Sequence, residues 1–133
     1  ELIMRAPSVR EAIREAEACN VALIGLGSLN YSVSTLLRNH LISPEELEEL
    51  RAAGAVGEIC GKHYDFNGKV IDAEFNHRTV SIDLQKLHRV KTVIGVAAGP
   101  AKVEPILGAV RGRLINTLVT DTTAANLLLE KQL

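Results

Sequence analysis

The sequence has 133 residues, of which 47% are hydrophobic and 23% charged, and its formal net charge is -1. This length suits one domain with a sizeable core, and the apolar content is too high for a disordered chain. Because the charges balance and only two Tyr, two Phe and no Trp are present, direct binding to nucleic acid or to an anionic membrane is not expected of this segment.

The start of the chain and its two cysteines indicate where the protein works. No apolar run approaches the roughly 20 residues that span a bilayer, and no cleavable leader is recognisable. The chain opens at Glu1 rather than Met, which suggests a piece of a longer protein. Cys19 and Cys60 are too few for a disulfide framework, so we expect two reduced, buried thiols in a cytoplasmic protein.

The first helix and strand are predicted from their patterns. Ser8 and Glu11 have the spacing of a capping box, and VREAIREAEA has the apolar period of an amphipathic helix. The run VALIGLG, which follows Asn20, predicts a buried strand of a parallel sheet. The next segment is less regular, with one helical turn expected near Leu36 and Leu37.

A second helix has clear start and stop signals. Ser43 is a good N-cap, Pro44 suits the first turn, and Glu46 completes a capping box. Gly54 follows as the expected helix stop. We therefore predict a helix over EELEELRAAG.

The middle of the chain favours short strands. GAVGEICGKHYD, GKVIDAEF and RTVSIDL predict two or three strands joined by turns, and Asn67-Gly68 indicates a hairpin. DLQKLHRV has room for one or two helical turns.

The last third alternates strand and helix. VKTVIGVA predicts a strand, Gly99-Pro100 opens the helix AKVEPILGAVRG, INTLVT predicts another strand, and Asp121 caps the helix TTAANLLLEKQ. Such alternation is typical of an α/β fold with an open, mostly parallel, Rossmann-like sheet and flanking helices, here with a short β-hairpin in the middle. Residues 1–133 then form a single domain, or one large piece of one.

Ligands of open α/β sheets bind at the carboxyl ends of the strands. Three segments have that position, residues 25–28, 98–102 and 120–123, and the glycine-rich GAVGEICG joins them at the rim. The turn Gly99-Pro100-Ala101-Lys102 offers free backbone amides and a cationic side chain, which suit a phosphate. An ordinary strand-to-helix turn with a solvated lysine explains the same residues.

Glu58 stands among glycines and apolar residues, where an unpaired charge is costly. Sugar hydroxyls would supply suitable donors, although an exposed residue on an edge strand has the same pattern. The glycines of Gly25-Leu26-Gly27-Ser28 start a dinucleotide fingerprint that fails at Asn30, so no nicotinamide cofactor is expected.

Nothing in the sequence indicates catalysis or a metal. His40, His63, His77 and His88 are scattered without zinc-ligand spacing. The sequence has no Gly-x-Ser-x-Gly nucleophile elbow, no Walker loop and no paired catalytic carboxylates. N-capping accounts for Asp121 in full. We predict no catalytic residue, no metal and no cofactor.

Four segments in order resemble the C-terminal effector domain of the SorC family of bacterial transcription regulators: ALIGLGSL, LISPEELEELRAAG, GAVGEICGKHYDFNGKVID and VIGVAAGPAKVEPILGAVRGRLINTLVTD. The likeness runs from about Ser8 to Leu129. It implies a fold similar to sugar-phosphate isomerases and glucosamine-phosphate deaminases. It also implies a homo-oligomer, and DNA binding through a helix-turn-helix that, with the front of the domain, lies outside this chain.

The resemblance also implies a site for a phosphorylated sugar. Glu58 would bind sugar hydroxyls and Lys102 would contact the phosphorylated ligand. The expected ligand-binding set is Glu58, Lys102, Gly57, Gly61, Gly99, Gly27, Ser28 and Asp121. One departure is Ala98 before Gly99, where the family commonly has two glycines.

Three functions remain open on the sequence. The first is a sensing module whose sugar phosphate alters DNA binding elsewhere in the protein. The second is a sugar-phosphate isomerase or deaminase on the same architecture, for which Glu58 lacks an evident proton-transfer partner. The third is a role in oligomer contacts through the apolar stripe of the terminal helix, which is compatible with the first.

Overall fold

A computed structural model describes residues 2–131 as an α/β fold with two three-stranded sheets. The strands are β1 (Val21–Gly25), β2 (Gly27–Ser28), β3 (Gly57–Ile59), β4 (Lys62–Tyr64), β5 (Thr92–Val96) and β6 (Thr117–Val119). The helices are α1 (Pro7–Glu17), α2 (Thr35–Arg38), α3 (Pro44–Ala52), α4 (Glu74–Arg78), α5 (Val103–Arg111) and α6 (Thr122–Glu130). Short 3-10 helices occupy Ile3–Arg5, Leu84–Arg89 and Pro100–Lys102.

The parallel sheet has the strand order β1-β5-β6. Val21 to Gly25 pair in register with Thr92 to Val96, and α5 is the crossover from β5 to β6. Alternate side chains of these strands face the core, whereas Leu23 on the other face is 72% exposed. The strands and helices predicted for the last third are confirmed.

The chain passes directly from β1 into a second, antiparallel sheet. The Leu26 amide donates to the Val96 carbonyl at 3.1 Å, and β2 then pairs with β3 so that Gly27 faces Glu58. Strands β3 and β4 are joined by Cys60 and Gly61, whose φ angles of 52° and 78° are those of a type I′ hairpin turn. Residues 25–27 therefore carry the chain from one sheet into the other.

The middle of the chain differs from the prediction after the Asn67-Gly68 turn. That turn exists, with Gly68 at φ 74°, but the returning chain makes only one bridge, between Tyr64 and Val70. GKVIDAEF then ends in helix α4, and RTVSIDL forms no strand. The alternation of apolar and polar residues predicted a strand here, but residues 74–78 form α4. This helix places the Asn76 side chain against β4, where its amide oxygen and nitrogen are both hydrogen-bonded.

The helix caps follow the sequence with one exception. Ser43 and Glu46 form the predicted capping box, at 3.2 and 2.9 Å, and Gly54 at φ 92° ends the helix. Helix α1 is the exception, since it begins at Pro7 with Ala6 at the N-cap and no side-chain cap. Proline is favoured at the first helical position, so the helix starts two residues too early for Ser8 to cap it.

Two hydrophobic clusters lie on either side of the antiparallel sheet. The first joins the inner face of the parallel sheet to α5 and α6 and includes Ile59 and Tyr64. The second lies under α3 and α4 and includes Leu29 and Phe75, the latter in edge contact with His63. The sheet that carries Glu58 is thus held between two cores.

The cysteines are free, as predicted, but they are not both buried. Cys19 is half-buried, and Cys60 is exposed because it occupies the tip of the β3–β4 turn. Among the described residues, no helix is long and apolar enough to cross a membrane.

Candidate functional site

Glu58 lies against the backbone of the neighbouring strand. Its Oε1 accepts a hydrogen bond from the Gly61 amide across the hairpin turn. A Cβ at Gly27 would stand only 2.1 Å from Oε2 of Glu58, so only glycine admits the carboxylate in this position. The pairing of β2 with β3 therefore fixes both the place and the direction of this side chain.

The carboxyl group of Glu58 is partly withdrawn from water. Burial raises its pKa above the ordinary value, while the Gly61 amide and the charge of Lys102 act in the opposite direction. A half-buried carboxylate with only one amide donor has oxygen lone pairs left for ligand hydroxyls.

Lys102 contacts the backbone just before β2, from the turn that follows strand β5. It ends the 3-10 helix Pro100–Lys102, and its Nζ donates to the Leu26 carbonyl at 2.7 Å. Burial lowers the pKa of Lys102, and the nearby Glu58 carboxylate opposes this effect. Glu58 and Lys102 are therefore brought together around Leu26 and Gly27, as the strand-tip prediction requires.

Gly99 and Asp121 form a second link at the strand tips. Gly99 has φ 92°, and its amide donates to Asp121 Oδ1 at 3.1 Å. The same oxygen accepts from Ala124 at 2.9 Å, which is the predicted N-cap of α6. These two hydrogen bonds lower the pKa of Asp121. Asp121 thus holds the Gly99 turn as well as capping a helix.

The remaining predicted residues have different surroundings. Gly61 supplies the amide to Glu58, and Ser28 is buried with its Oγ accepting from the Asn30 amide at 3.2 Å. Gly57 faces away from Glu58, since a Cβ there would overlap the Tyr64 ring. The packing of Tyr64 in the first hydrophobic cluster therefore requires glycine at position 57.

A cavity of about 510 Å³ adjoins Lys102. The Gly99–Lys102 turn lines one side, and Asn30, Ser32 and Val33 line the other. The sequence analysis missed Asn30 and Ser32 as candidates. Their only sequence signal is the polar, irregular stretch after β2, and it gave no direction for the side chains.

His63 was also missed, although it is the cross-strand partner of Glu58. It is 1% exposed, and burial lowers its pKa to about 4, so the imidazole is neutral at physiological pH. Its Nδ1 lies 3.2 Å from Asn76 Oδ1, an oxygen that also accepts from the His63 amide. The contact with Asn76 is structural, and nothing in the spacing of the histidines predicted it.

The described part of the chain contains no group of three or more His, Cys, Asp or Glu residues placed to hold a metal ion.

The fold is an α/β domain whose strand tips bring Glu58 and Lys102 together. A family model described as "Putative sugar-binding domain" matches residues 1–130. The chain is 38% identical over 130 residues to the transcriptional regulator LsrR of Enterobacter sp. (strain 638), covering 96% of this chain and 40% of that protein. It is 38% identical over 115 residues to the sorbitol operon regulator of Klebsiella pneumoniae, covering 86% of this chain and 36% of the relative.

A solved structure gives the same result. The crystal structure of the full-length sorbitol operon regulator SorC from Klebsiella pneumoniae superposes with a TM-score of 0.83 and 36% identity, over 95% of this chain and 41% of that one. The chain belongs to this family of sugar-binding domains, and its resemblance to SorC-type regulators is confirmed. It spans about two-fifths of the length of these relatives.

Proposed function

We propose that this domain binds a phosphorylated sugar at the strand tips and thereby modulates DNA binding by a separate helix-turn-helix of the same regulator. The observation that carries the proposal is the convergence of Glu58 and Lys102 on Leu26 and Gly27. The carboxylate of Glu58 on β3 offers one end of a ligand an acceptor, and the ammonium group of Lys102 at the end of the 3-10 helix offers the other end a cation.

The phosphate end of the ligand would lie at the Gly99–Lys102 turn. Lys102 uses one of its three N–H donors on the Leu26 carbonyl, which orients the ammonium and leaves two donors for phosphate oxygens. The adjoining cavity has the polar side chains of Asn30 and Ser32 on its opposite wall. Asn30 Oδ1 already accepts from the Ser32 amide at 3.0 Å and from the Ser32 hydroxyl at 2.7 Å, so Asn30 Nδ2 is the donor that this wall offers a ligand.

The sugar end would lie at Glu58. The carboxylate is held by the Gly61 amide and by the close approach of Gly27, so it is already oriented before a ligand arrives. Hydroxyl donors would replace the water lost by burial, and such charge-assisted hydrogen bonds are strong ones.

Regulation would follow from differential binding. A ligand that binds one arrangement of the homo-oligomer more tightly shifts the population toward it, and the coupling to a distant DNA reader is typically about 1–3 kcal/mol. Kinship with LsrR and with the sorbitol operon regulator, both named as transcription regulators, supports this role and a cytoplasmic location.

The test is a thermal-shift screen of the complete regulator against phosphorylated sugars, each beside its unphosphorylated counterpart. A selective ligand raises the melting temperature because it binds only the native state. We expect Lys102→Met to abolish the preference for the phosphorylated form and Glu58→Gln to weaken the shift. Lys91→Met and Glu11→Gln, at exposed positions, are the matched controls. An unchanged shift in both site variants would overturn the assignment.

We propose no catalytic step. Relatives named as regulators support this view. In addition, the buried, neutral His63 beside Glu58 already makes a hydrogen bond to Asn76 through its Nδ1. Incubation of the stabilising sugar phosphate with the protein, followed by product analysis, tests the isomerase or deaminase alternative. Turnover that Glu58→Gln abolishes would favour the enzyme.

A further inference from the structure

We propose that the domain has a second ligand site, for a small organic carboxylate with an apolar body, in the cavity between residues 69–72, α4 and residues 81–85. The cavity has a volume of about 780 Å³, within the range of small-molecule sites. Neither Glu58 nor Lys102 lines it, so it is separate from the strand-tip site.

Two residues with hydrogen-bond donors, Lys62 and Ser81, line this cavity. The Lys62 ammonium makes a single hydrogen bond, to the Asn76 carbonyl, among the hydrogen bonds of the described residues. The Ser81 hydroxyl is buried and finds no partner within residues 2–131. A buried polar atom without a partner is costly, and a ligand oxygen that reached Ser81 would supply the missing partner while Lys62 donated to the same anionic group.

The lining of the cavity carries two lysines, Lys62 and Lys69, and two carboxylates, Asp72 and Asp83. Asp72 is paired with His77 at 2.6 Å, and the Asp83 carboxylate caps the following 3-10 helix through Gln85 at 3.0 Å. Lys62 and Lys69 form no ion pair with any described residue. Burial lowers the pKa of Lys62, although Asp83 partly restores it, so a ligand carboxylate would stabilise the charged form.

The rest of the lining calls for an apolar body on the ligand. The hydrophobic side chains at the cavity wall are Val70, Ile71, Ile82 and Leu84. The Asn76 amide adds no free donor, because its Nδ2 is already bonded to the carbonyls of His63 and Ile71. Recognition would therefore combine one anionic group at Lys62 and Ser81 with apolar contact beyond it.

The probe for this site is benzoate, with benzyl alcohol as the uncharged compound of the same shape. Saturation-transfer NMR titrations of the protein should show benzoate binding more tightly than benzyl alcohol. Lys62→Met, which keeps most of the length of the side chain, should weaken the binding of benzoate by at least about tenfold, and Ser81→Ala by a smaller factor. The exposed Lys91→Met should leave it unchanged.

Several outcomes would overturn the proposal. They are equal binding of benzoate and benzyl alcohol, no saturation transfer from benzoate, or full binding to Lys62→Met. Should Lys62→Met fail to fold by circular dichroism, Lys62→Gln and Ser81→Ala carry the same comparison. Benzoate binding must also survive Glu58→Gln, since that variant alters only the strand-tip site, and failure of either site leaves the other intact.

Discussion

Replacing Asn76 with alanine removes the side chain that ties α4 to the antiparallel sheet. Asn76 is 3% exposed, and its side chain makes four hydrogen bonds. Its Oδ1 accepts from the His63 amide at 2.9 Å and from His63 Nδ1 at 3.2 Å. Its Nδ2 donates to the His63 carbonyl at 3.0 Å and to the Ile71 carbonyl at 2.8 Å. Each bond contributes a net of roughly 1 kcal/mol, so the loss is about 4 kcal/mol. That is a large part of the roughly 5–15 kcal/mol that stabilises a domain.

Urea unfolding followed by circular dichroism measures this loss. With a slope of about 1–3 kcal/mol/M, the midpoint should fall by roughly 1.3–4 M. Asn126→Ala, at an exposed position in α6, is the control and should leave the midpoint nearly unchanged. A loss below about 1 kcal/mol for Asn76→Ala would show that water replaces the missing amide, and the reasoning from buried hydrogen bonds would fail.

Three further changes test the strand-tip site. Gly27→Ala places a methyl group 2.1 Å from the Glu58 carboxylate, so it should weaken sugar-phosphate binding by at least about tenfold in isothermal titration calorimetry. Gly25→Ala, which has open space around it, is the control and should leave binding unchanged. Because burial raises the pKa of Glu58, the folded state loses stability as pH rises from the ordinary carboxyl pKa through the raised pKa of Glu58. The melting temperature of Glu58→Gln should not fall over this pH range. Asp121→Ala should lower the melting temperature, and the difference should disappear as pH falls through the lowered pKa of Asp121, because the protonated carboxyl no longer accepts both amides.

The sequence predicted the parallel sheet and its helices well because their signals are local. Apolar runs such as VALIGLG are long enough to show a buried strand, and capping residues such as Ser43 and Asp121 mark helix starts. Helix α4 could not be predicted in this way. Its five residues are too few to show a helical period, and the Asn76 side chain holds it by hydrogen bonds to the backbone of His63 on strand β4.

The candidate site was predicted only in part. The residues alone left the roles of Glu58 and Lys102 open, and the resemblance to SorC-type regulators singled them out. The structure brings the two side chains together. The Leu26 carbonyl that orients Lys102 and the Asn30 wall of the cavity depend on how β2 pairs with β3. That pairing joins residues about thirty positions apart, and no local pattern encodes it.

The position of the antiparallel sheet between two hydrophobic clusters has a consequence for dynamics. Ile59 anchors the sheet in one cluster and Leu29 in the other, so the two cores meet through a few short strands. A ligand that bridges Glu58 and Lys102 would restrain this junction rather than either core. We expect amide deuterium exchange to slow chiefly in residues 26–34 and 57–64 when the sugar phosphate is added, while the amides of β5 exchange at the same rate as before.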